Sequence, residues 1–295
     1  MEVRLTHLER VVYPDVGITK GDIIAYYRDV ADVMLPELRG RPITIERFTK
    51  SIVEGGFYQK HAQKHYPPWI ERVALGSKTI VSYPLIDSRD ALIYLANQGG
   101  FVFHVWTSRR EAPQFPDLLV FDLDPPEGGF DQVRAAARFV REALDELALP
   151  AFVKTTGSKG LHVVAPLDPH ASFDTVGKLG HGIARLLCER YPDELTTEFY
   201  KKDRGNRIFL DTLRNAPGAT VVAPYSLRGK PGAPISAPIE WDEVDDPALR
   251  PDGIRIRDVR ARLDRRGDPW RDLRAEPGSA DAAARRLAAL VSSPP

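Results

Sequence analysis

Cysteine is almost missing from this sequence, since Cys188 is the single thiol among 295 residues. An intramolecular disulfide and a cysteine-rich zinc site are therefore excluded, and the apolar residues beside Cys188 predict a buried structural thiol. No hydrophobic run approaches the ~20 residues that a membrane span requires. The N-terminus also lacks the pattern of a signal peptide. These absences predict a protein of the cytoplasm, without a membrane partner.

The chain also carries no formal net charge, because Lys+Arg and Asp+Glu number 41 each. Overall charge therefore gives no sign of nucleic-acid binding, and any such sign must come from local patches. The sequence contains neither an internal repeat nor a phosphate-binding P-loop. Its hydrophobic fraction of 43% and charged fraction of 28% are those of a globular protein. Its 295 residues are enough for one large domain or two modest ones.

Two acidic residues follow a short apolar run in the middle of the chain. Residues 118–121 predict a buried strand that ends in Asp122 and Asp124. Side chains two apart in a strand share a face, so both carboxylates point the same way while Leu123 points into the core. Pro125 ends the strand because it cannot donate to a ladder. The pair predicts a divalent metal site, and a solvated loop is the alternative.

A basic and aromatic segment spans residues 39–65 and includes the adjacent rings of Phe57 and Tyr58. Cations interleaved with rings suit a strand of nucleic acid, because phosphates take the cations and bases stack on the rings. A solvated face with a few packed rings explains the same composition. Upstream, Thr19 and Asp22 form a variant capping box for a helix that is predicted to end at Pro36.

Strand, tight loop and strand are predicted over residues 151–166. Glycines flank Ser158 and Lys159 in the loop, and His162 follows on the second strand. Their backbone amides and side chains fit an anion such as a phosphate, and an ordinary glycine hairpin is the alternative. A third acid, Asp211, ends a strand over 207–211. His104 lies in an apolar strand over 101–106, where a satisfied core histidine is the plainer interpretation.

Three strand-end carboxylates with an anion-binding loop are the parts that two-metal phosphoryl transfer requires. The motifs FDLDP at 121–125, TTGSKGLHVVAPL at 155–167 and RIFLD at 207–211 occur in this order. With them, residues 4–245 closely resemble the polymerase domain of the bacterial non-homologous end-joining DNA ligase, in the archaeo-eukaryotic primase superfamily.

The resemblance implies an α+β primase-polymerase fold, with mixed and antiparallel sheets flanked by helices and a catalytic half like an RNA-recognition motif. It divides residues 1–245 into an N-terminal α/β part of about 1–110 and a catalytic part of about 111–245. Residues 246–295 then form a helical extension rich in Pro, Arg and Ala.

The same resemblance implies a template-dependent nucleotidyltransferase that extends primers and fills gaps at broken DNA ends. Its substrates are nucleoside triphosphates, with ribonucleotides preferred, and its cofactors are two divalent ions, manganese or else magnesium. Asp122 and Asp124 are implied as ligands of both ions and Asp211 as the third carboxylate. The implied triphosphate and nucleotide contacts are Ser158, Lys159, Gly160, His162, Arg228 and His104. Phe57 and Tyr58 fall where the family places its template-binding aromatic pair.

Three N-terminal positions fall where the family binds the 5′-phosphate of the downstream strand. Lys20 matches the family, Arg10 stands where lysine is usual, and His7 stands where asparagine is usual. Arginine pairs well with phosphate, whereas a neutral histidine offers fewer donors, so the sequence leaves the strength of this recognition open. Glu46 occupies a position that the family pattern makes basic.

No ligase or nuclease region is recognised, which predicts a free-standing, nucleoid-associated polymerase that acts on gapped or broken DNA beside a separate ligase and Ku. A manganese glycosyltransferase with a D-x-D motif is one rival, although it leaves Asp211 and the glycine loop unexplained. A DNA-end-binding module without turnover is another, and the three intact acids argue against it.

Overall fold

The computed structural model describes residues 3–76, 79–126 and 129–292. The strands in these residues are β1 (Val11–Tyr13), β2 (Ile18–Thr19), β3 (Ile43–Arg47), β4 (Phe57–Gln59), β5 (Arg72–Leu75), β6 (Val81–Pro84), β7 (Gly100–Trp106), β8 (Leu118–Asp124), β9 (Phe152–Thr155), β10 (Leu161–Pro166), β11 (Leu195–Thr196), β12 (Ile208–Asp211), β13 (Thr220–Val222) and β14 (Pro238–Ile239). The α-helices are α1 (Lys20–Asp29), α2 (Ala31–Leu38), α3 (Arg89–Asn97), α4 (Phe130–Glu146), α5 (Phe173–Arg190), α6 (Lys201–Arg204), α7 (Trp241–Val244), α8 (Val259–Arg266) and α9 (Ala280–Ser292).

The chain forms two compact units. The first contains the residues up to Glu111, together with Thr220–Ala237 and Asp252–Asp268. The second contains Ala112–Ala219, Pro238–Pro251 and the described residues from Pro269 onward. The segment that the sequence sets apart from residue 246 is thus shared between both units, while its last residues, 293–295, lie outside the described residues.

The first unit is built on an antiparallel sheet in the order β13-β7-β3-β4. The capping box of Thr19 and Asp22 starts α1 as predicted. The prediction that one helix continues to Pro36 is wrong, because the chain breaks at Val30 and a second helix, α2, contains Pro36. Pro36 removes one backbone donor from α2, and its carbonyl accepts a hydrogen bond from Arg109 Nη2 at 3.0 Å.

The second unit is built on a six-stranded sheet in the order β11-β12-β8-β10-β9-β14. Its pairs are antiparallel except β11 with β12. The first six residues of β8 are buried, and α4 and α5 pack against this strand and against each other. Burial of apolar area is the main stabilising term in folding, so β8 is held in the core up to Leu123.

The C-terminal region is fixed in the second unit by polar contacts. Trp270 Nε1 donates to the Val153 carbonyl at 3.0 Å, and Arg274 Nη1 lies 3.0 Å from Asp117 Oδ2. The helices of the extension predicted from residue 246 onward are α8 and α9. None of the helices in the described residues is long and apolar enough to cross a membrane.

Candidate active site

A row of polar side chains crosses four strands of the second unit. In the strand registers, Asp122 of β8 lies opposite Asp211 of β12 on one side and opposite His162 of β10 on the other. Lys154 of β9 lies opposite His162. Residues directly opposite each other in antiparallel strands share a face, so these four side chains lie in one line. All four are buried, and polar groups at such depth require partners.

Asp124 lies two residues beyond Asp122, on the last position of β8 and opposite Phe209. The strand ends there, before Pro125, as the sequence predicts. Leu123 between the two acids is fully buried. The alternation of a strand therefore directs both carboxylates away from the core on which Leu123 packs.

Arg214 joins two of the carboxylates. Its Nη2 lies 3.2 Å from Asp122 Oδ2 and 3.6 Å from Asp211 Oδ2. The residue belongs to a one-turn 3₁₀ helix, Leu213–Asn215, that directly follows β12. A guanidinium between two carboxylates offsets their repulsion. Arg214 was not among the residues predicted from the sequence. The sequence feature that could have pointed to Arg214 is its position three residues after Asp211.

Burial and neighbouring charge set the protonation of this row. Burial raises the pKa of Asp124, and the negative charges of Asp122 and Asp211 raise it further. Burial also raises the pKa of Asp211. Burial alone would raise the pKa of Asp122, but the adjacent His162 and Arg214 bring it well below its ordinary value. Asp122 is thus a carboxylate at every physiological pH.

His162 is the neutral member of the row. Burial lowers the pKa of its imidazole to about 4, and the ammonium of Lys154 acts in the same direction. The neutral ring places Nε2 3.3 Å from Asp122 Oδ1. Its Nδ1 is buried with no hydrogen-bond partner among the described residues. A buried nitrogen in that state marks a place where a bound group would complete the hydrogen bonding.

The donors fit hard divalent ions by their chemistry. Carboxylate oxygens are the ligands that magnesium and manganese prefer, and mutual repulsion contributes to the raised pKa of Asp124. Among the residues that the structure describes, no three His, Cys, Asp or Glu side chains already form a closed ligand group. Asp122 and Asp211 are held by Arg214 instead, so a cation already balances part of their charge.

The glycine loop between β9 and β10 is shaped by Thr156. Its hydroxyl donates to the Gly160 carbonyl at 3.0 Å and lies 3.2 Å from the Gly160 amide. Gly157 has φ +62°, in the left-handed region that glycine adopts without steric cost. Ser158 is half-buried and Lys159 is exposed at the tip. The predicted anion contacts are thus presented on a short loop fixed by a buried threonine.

Asn215 ties the D-x-D strand to the segment that carries Arg214. Its amide donates to the Val120 carbonyl and accepts from the Val120 amide, both at 2.8 Å. The side chain is buried. Asn215, Thr156 and Lys154 were not singled out by sequence analysis, because their positions depend on strand register rather than on local pattern.

Removing Arg214 is expected to slow nucleotide addition. In Arg214→Ala, Asp122 and Asp211 keep their positions but lose the cation between them. Hydrogen bonds to charged groups contribute about 1.5–3 kcal/mol, so we expect a ten- to hundredfold slower single-turnover extension of a primed template. Arg185→Ala removes an arginine of α5 that pairs with Glu189 at 3.6 Å and serves as the matched control. Equal rates for both variants would contradict a role for Arg214.

The first unit brings the predicted nucleotide histidine and template aromatics together. His104 of β7 contacts Tyr58 edge to face, with ring centroids 5.6 Å apart. Phe57 and Tyr58 lie on the edge strand β4 and are 49% and 63% exposed. Arg47 lies over the Phe57 ring at 5.7 Å. Exposed rings beside an arginine form a surface suited to stacking of bases.

The carboxyl group of Glu46 interacts electrostatically with two basic side chains of the first unit. It lies opposite Tyr58 in the β3–β4 pair. Burial raises its pKa, and the positive charges of Arg228 and Lys230 counteract that rise. The acid therefore lies within the field of Arg228, the predicted triphosphate arginine, and competes with any anion for that charge.

The predicted 5′-phosphate residues are joined by backbone hydrogen bonds in the first unit. The Lys20 amide donates to the Arg10 carbonyl, and the Arg10 amide donates to the His7 carbonyl. Arg10 is engaged with the carbonyls of Phe48 and Thr49. Lys20 is only 3% exposed, and its Nζ donates to the Thr6 carbonyl at 2.5 Å. The His7 side chain is exposed.

Recognition of a 5′-phosphate through Lys20 is expected to weaken at alkaline pH. Burial, helped by Arg10, lowers the pKa of Lys20 to about 8. The ammonium is charged below that pKa, so its attraction for phosphate is full near pH 7 and fades above about pH 8, while the phosphate itself stays dianionic. Affinities for gapped duplexes with a 5′-phosphate and with a 5′-hydroxyl, compared from pH 7 to 9.5, measure this. A constant difference across the range would exclude Lys20 as the contact.

The fold and this row of side chains fit one class of protein, the nucleotidyltransferases. The sequence profile of the family described as LigD, primase-polymerase domain, matches residues 19–270. The chain belongs to this family, whose members are DNA-directed nucleotidyltransferases. The resemblance inferred from the sequence motifs and the predicted fold are both confirmed.

Individual relatives agree with the family. The chain is 37% identical over 283 residues to the multifunctional non-homologous end joining protein LigD of Mycolicibacterium smegmatis, covering 95% of this chain and 37% of that protein. It is 30% identical over 278 residues to the bifunctional non-homologous end joining protein LigD of Bacillus subtilis, covering 94% of this chain and 45% of that one. The chain thus spans less than half the length of either relative.

A solved structure is also similar. The polymerase domain from Mycobacterium tuberculosis Ligase D in complex with DNA superposes with a TM-score of 0.88 at 36% identity, covering 94% of this chain and 99% of that chain. A match of this extent includes both units of the chain. It excludes the rival prediction of a D-x-D glycosyltransferase, because the similarity covers nearly the whole chain.

Proposed function

We propose that this chain is a template-dependent polymerase that extends primers and fills gaps at broken DNA ends in non-homologous end joining. The observation that carries the proposal is the row in which Asp122 lies opposite both Asp211 and His162. The relatives named for end joining, and the similar polymerase domain in complex with DNA, support the choice of substrate.

Asp122, Asp124 and Asp211 would hold two divalent ions, manganese or magnesium. When bound, such ions lower the pKa of the attacking hydroxyl and neutralise charge on the reacting phosphate. The chain itself holds the carboxylates ready for this task, since Arg214 and His162 keep Asp122 ionised. No protein base is required for the primer hydroxyl in this proposal.

Substrate binding is divided among the predicted residues of each unit. In the second unit, Ser158, Lys159 and the Gly160 amide present donors to a triphosphate, and His162 holds Asp122 in place. In the first unit, His104 and Arg228 are proposed nucleotide contacts. These roles rest on donor chemistry, because amides and cations stabilise phosphate oxygens.

DNA contacts are proposed on the first unit. Phe57 and Tyr58 would stack on the template strand, and Lys20 with Arg10, beside His7, would take the 5′-phosphate of a downstream strand. A DNA end presented by Ku and sealed by a separate ligase would complete the repair.

Primer extension on a duplex with a short gap tests the proposal. We expect templated addition with manganese and with magnesium, faster with manganese, and faster with ribonucleotides than with deoxynucleotides. A blunt duplex with the same sequence but no template overhang is the control for templating. Absence of extension under every combination of metal and nucleotide would overturn the assignment, and equal use of both sugars would overturn only the ribonucleotide preference.

A further inference from the structure

A cavity of about 710 Å³ in the first unit is lined by arginines from three separate elements. Arg4 belongs to the N-terminal segment, Arg28 to the last turn of α1, and Arg89 is the first residue of α3. Asp90 is the acidic residue of the lining, so cations exceed acids there. This group, Arg4, Arg28 and Arg89, is called the arginine pocket below.

The pocket is held in place by a buried side chain. Asn97 of α3, 8% exposed, accepts from the Thr6 amide at 3.1 Å and donates to the Arg4 carbonyl at 3.0 Å. These two bonds fix the N-terminal segment against α3, and α3 packs on α1. The backbone that directly follows Arg4 is therefore anchored to α3, which also carries Arg89.

The arginines differ in their partners. Arg89 Nη2 lies 2.7 Å from Asp32 Oδ1, an ion pair in which the aspartate is largely exposed. Neither Arg4 nor Arg28 forms an ion pair with a carboxylate of the described residues. Two guanidinium groups at one cavity repel each other, and an anion between them would offset that repulsion. Guanidinium groups bind phosphate in a bidentate manner, which makes phosphate the best-matched ligand.

The segment that carries Arg4 is also tied to Lys20 of α1. Thr6 links them, because its amide is bound by Asn97 and its carbonyl accepts from Lys20 Nζ. A DNA strand carries one phosphate for about every 3.4 Å of duplex axis. A strand therefore offers further phosphates beside the one predicted at Lys20 and Arg10.

We propose that the arginine pocket binds a backbone phosphate of duplex DNA, as a contact additional to those predicted at Lys20 and Arg10. The inference rests on the proposed function, since it takes DNA to be the substrate. The contact is independent of base sequence and contributes to affinity through charge. Its strength therefore falls as salt concentration rises, because each phosphate contact releases condensed counterions.

The test uses the full chain with Arg4→Ala and Arg28→Ala combined, which leaves the Arg89–Asp32 pair intact. Affinity for a gapped duplex is measured by fluorescence anisotropy from 50 to 200 mM salt. Each phosphate contact contributes about 0.9 to the slope of log affinity against log salt. We expect weaker binding and a slope smaller by about one contact in the double variant, equally for unrelated DNA sequences. Combined Arg4→Lys and Arg28→Lys should restore most of the slope.

Arg260→Ala with Arg265→Ala, on α8 of the same unit, is the charge-matched control and should keep the parent slope. If the Arg4 and Arg28 variant also keeps the parent affinity and slope, the pocket does not bind DNA. If inorganic phosphate, and not chloride at equal ionic strength, raises the melting temperature of the parent but not of the variant while both bind DNA with the same affinity and slope, the site is for a small anion and the proposal falls. Extension of an open primer–template by the parent is scored separately, and its absence would count against the proposed function instead.

Discussion

Asp211→Asn is expected to reduce nucleotide addition by a factor on the order of 10³ or more, with DNA affinity unchanged. Asparagine keeps the shape of the side chain and the oxygen that accepts from the Leu213 amide at 2.8 Å. It removes the negative charge opposite Asp122, and charge stabilisation at a metal-dependent phosphoryl-transfer site amounts to several kcal/mol. Asp122→Asn should have an effect of the same order.

Asp211→Asn is also expected to be more stable than the parent at neutral pH. Burial raises the pKa of Asp211, so the folded state disfavours its charged form. The charged carboxylate of Asp211 therefore destabilises the folded protein above the pKa that it has in the folded state. This destabilisation disappears below the ordinary pKa of 3.8. Asp211→Asn should therefore melt at a higher temperature near pH 7, and the difference should vanish in acid.

Three measurements on purified Asp211→Asn, single-turnover extension, DNA binding and a melting curve, separate the alternatives. Asp193→Asn replaces an exposed aspartate of the same unit and should behave as the parent does. Extension at the parent rate by Asp211→Asn would remove this carboxylate from the chemistry. Loss of extension together with loss of DNA binding would point to a structural or binding role instead.

Local patterns in the sequence were sufficient to predict the D-x-D strand. Four apolar residues, two acids at alternate positions and a proline determine that strand and its end. The capping box of α1 was equally local, since Thr19 and Asp22 are three residues apart. The break at Val30 has no such signal, because an apolar stripe continues through it with helical spacing.

The partners of the D-x-D strand could not be predicted in this way. Arg214 lies 92 residues from Asp122 in the sequence, and their contact exists only because β12 pairs with β8 in one particular register. A shift by one residue would turn Asp211 to the opposite face. Lys154 meets His162 for the same reason. Register is a property of the assembled sheet, so such contacts are absent from any local pattern.

His104 shows how two interpretations of one residue can both describe the structure. The apolar strand around it predicted a packed histidine, and the family resemblance implied a nucleotide contact. Its ring packs edge to face on Tyr58, which is itself largely exposed on an edge strand. The His104 ring thus packs against the exposed Tyr58 ring. The nucleotide role of His104 stays a prediction.

Gly160→Ala is expected to lower activity by up to about a hundredfold and to destabilise the second unit. A Cβ at this position would lie 2.0 Å from the Leu123 carbonyl oxygen, far inside contact distance, and the obstacle is backbone. Either β10 or β8 must then shift. Leu123 lies between Asp122 and Asp124, so any movement of its peptide displaces both carboxylates. Overpacking of this kind costs about 1–3 kcal/mol, and small displacements at a reacting centre lower rates severalfold to a hundredfold.

Gly177→Ala supplies the matched control, because a Cβ there meets only the Asn215 carbonyl oxygen at 3.7 Å, an ordinary contact. Gly177 lies within α5, where alanine is favoured over glycine by about 1 kcal/mol, so this variant should be as stable as the parent or more stable. Denaturant unfolding and single-turnover extension of both variants test the steric argument. A Gly160→Ala protein with parent stability and parent activity would show that the backbone of β8 can yield without disturbing its carboxylates. If stability is lost but activity survives below the melting temperature, the glycine serves folding alone, and the close approach of the loop to Leu123 does not position the acids.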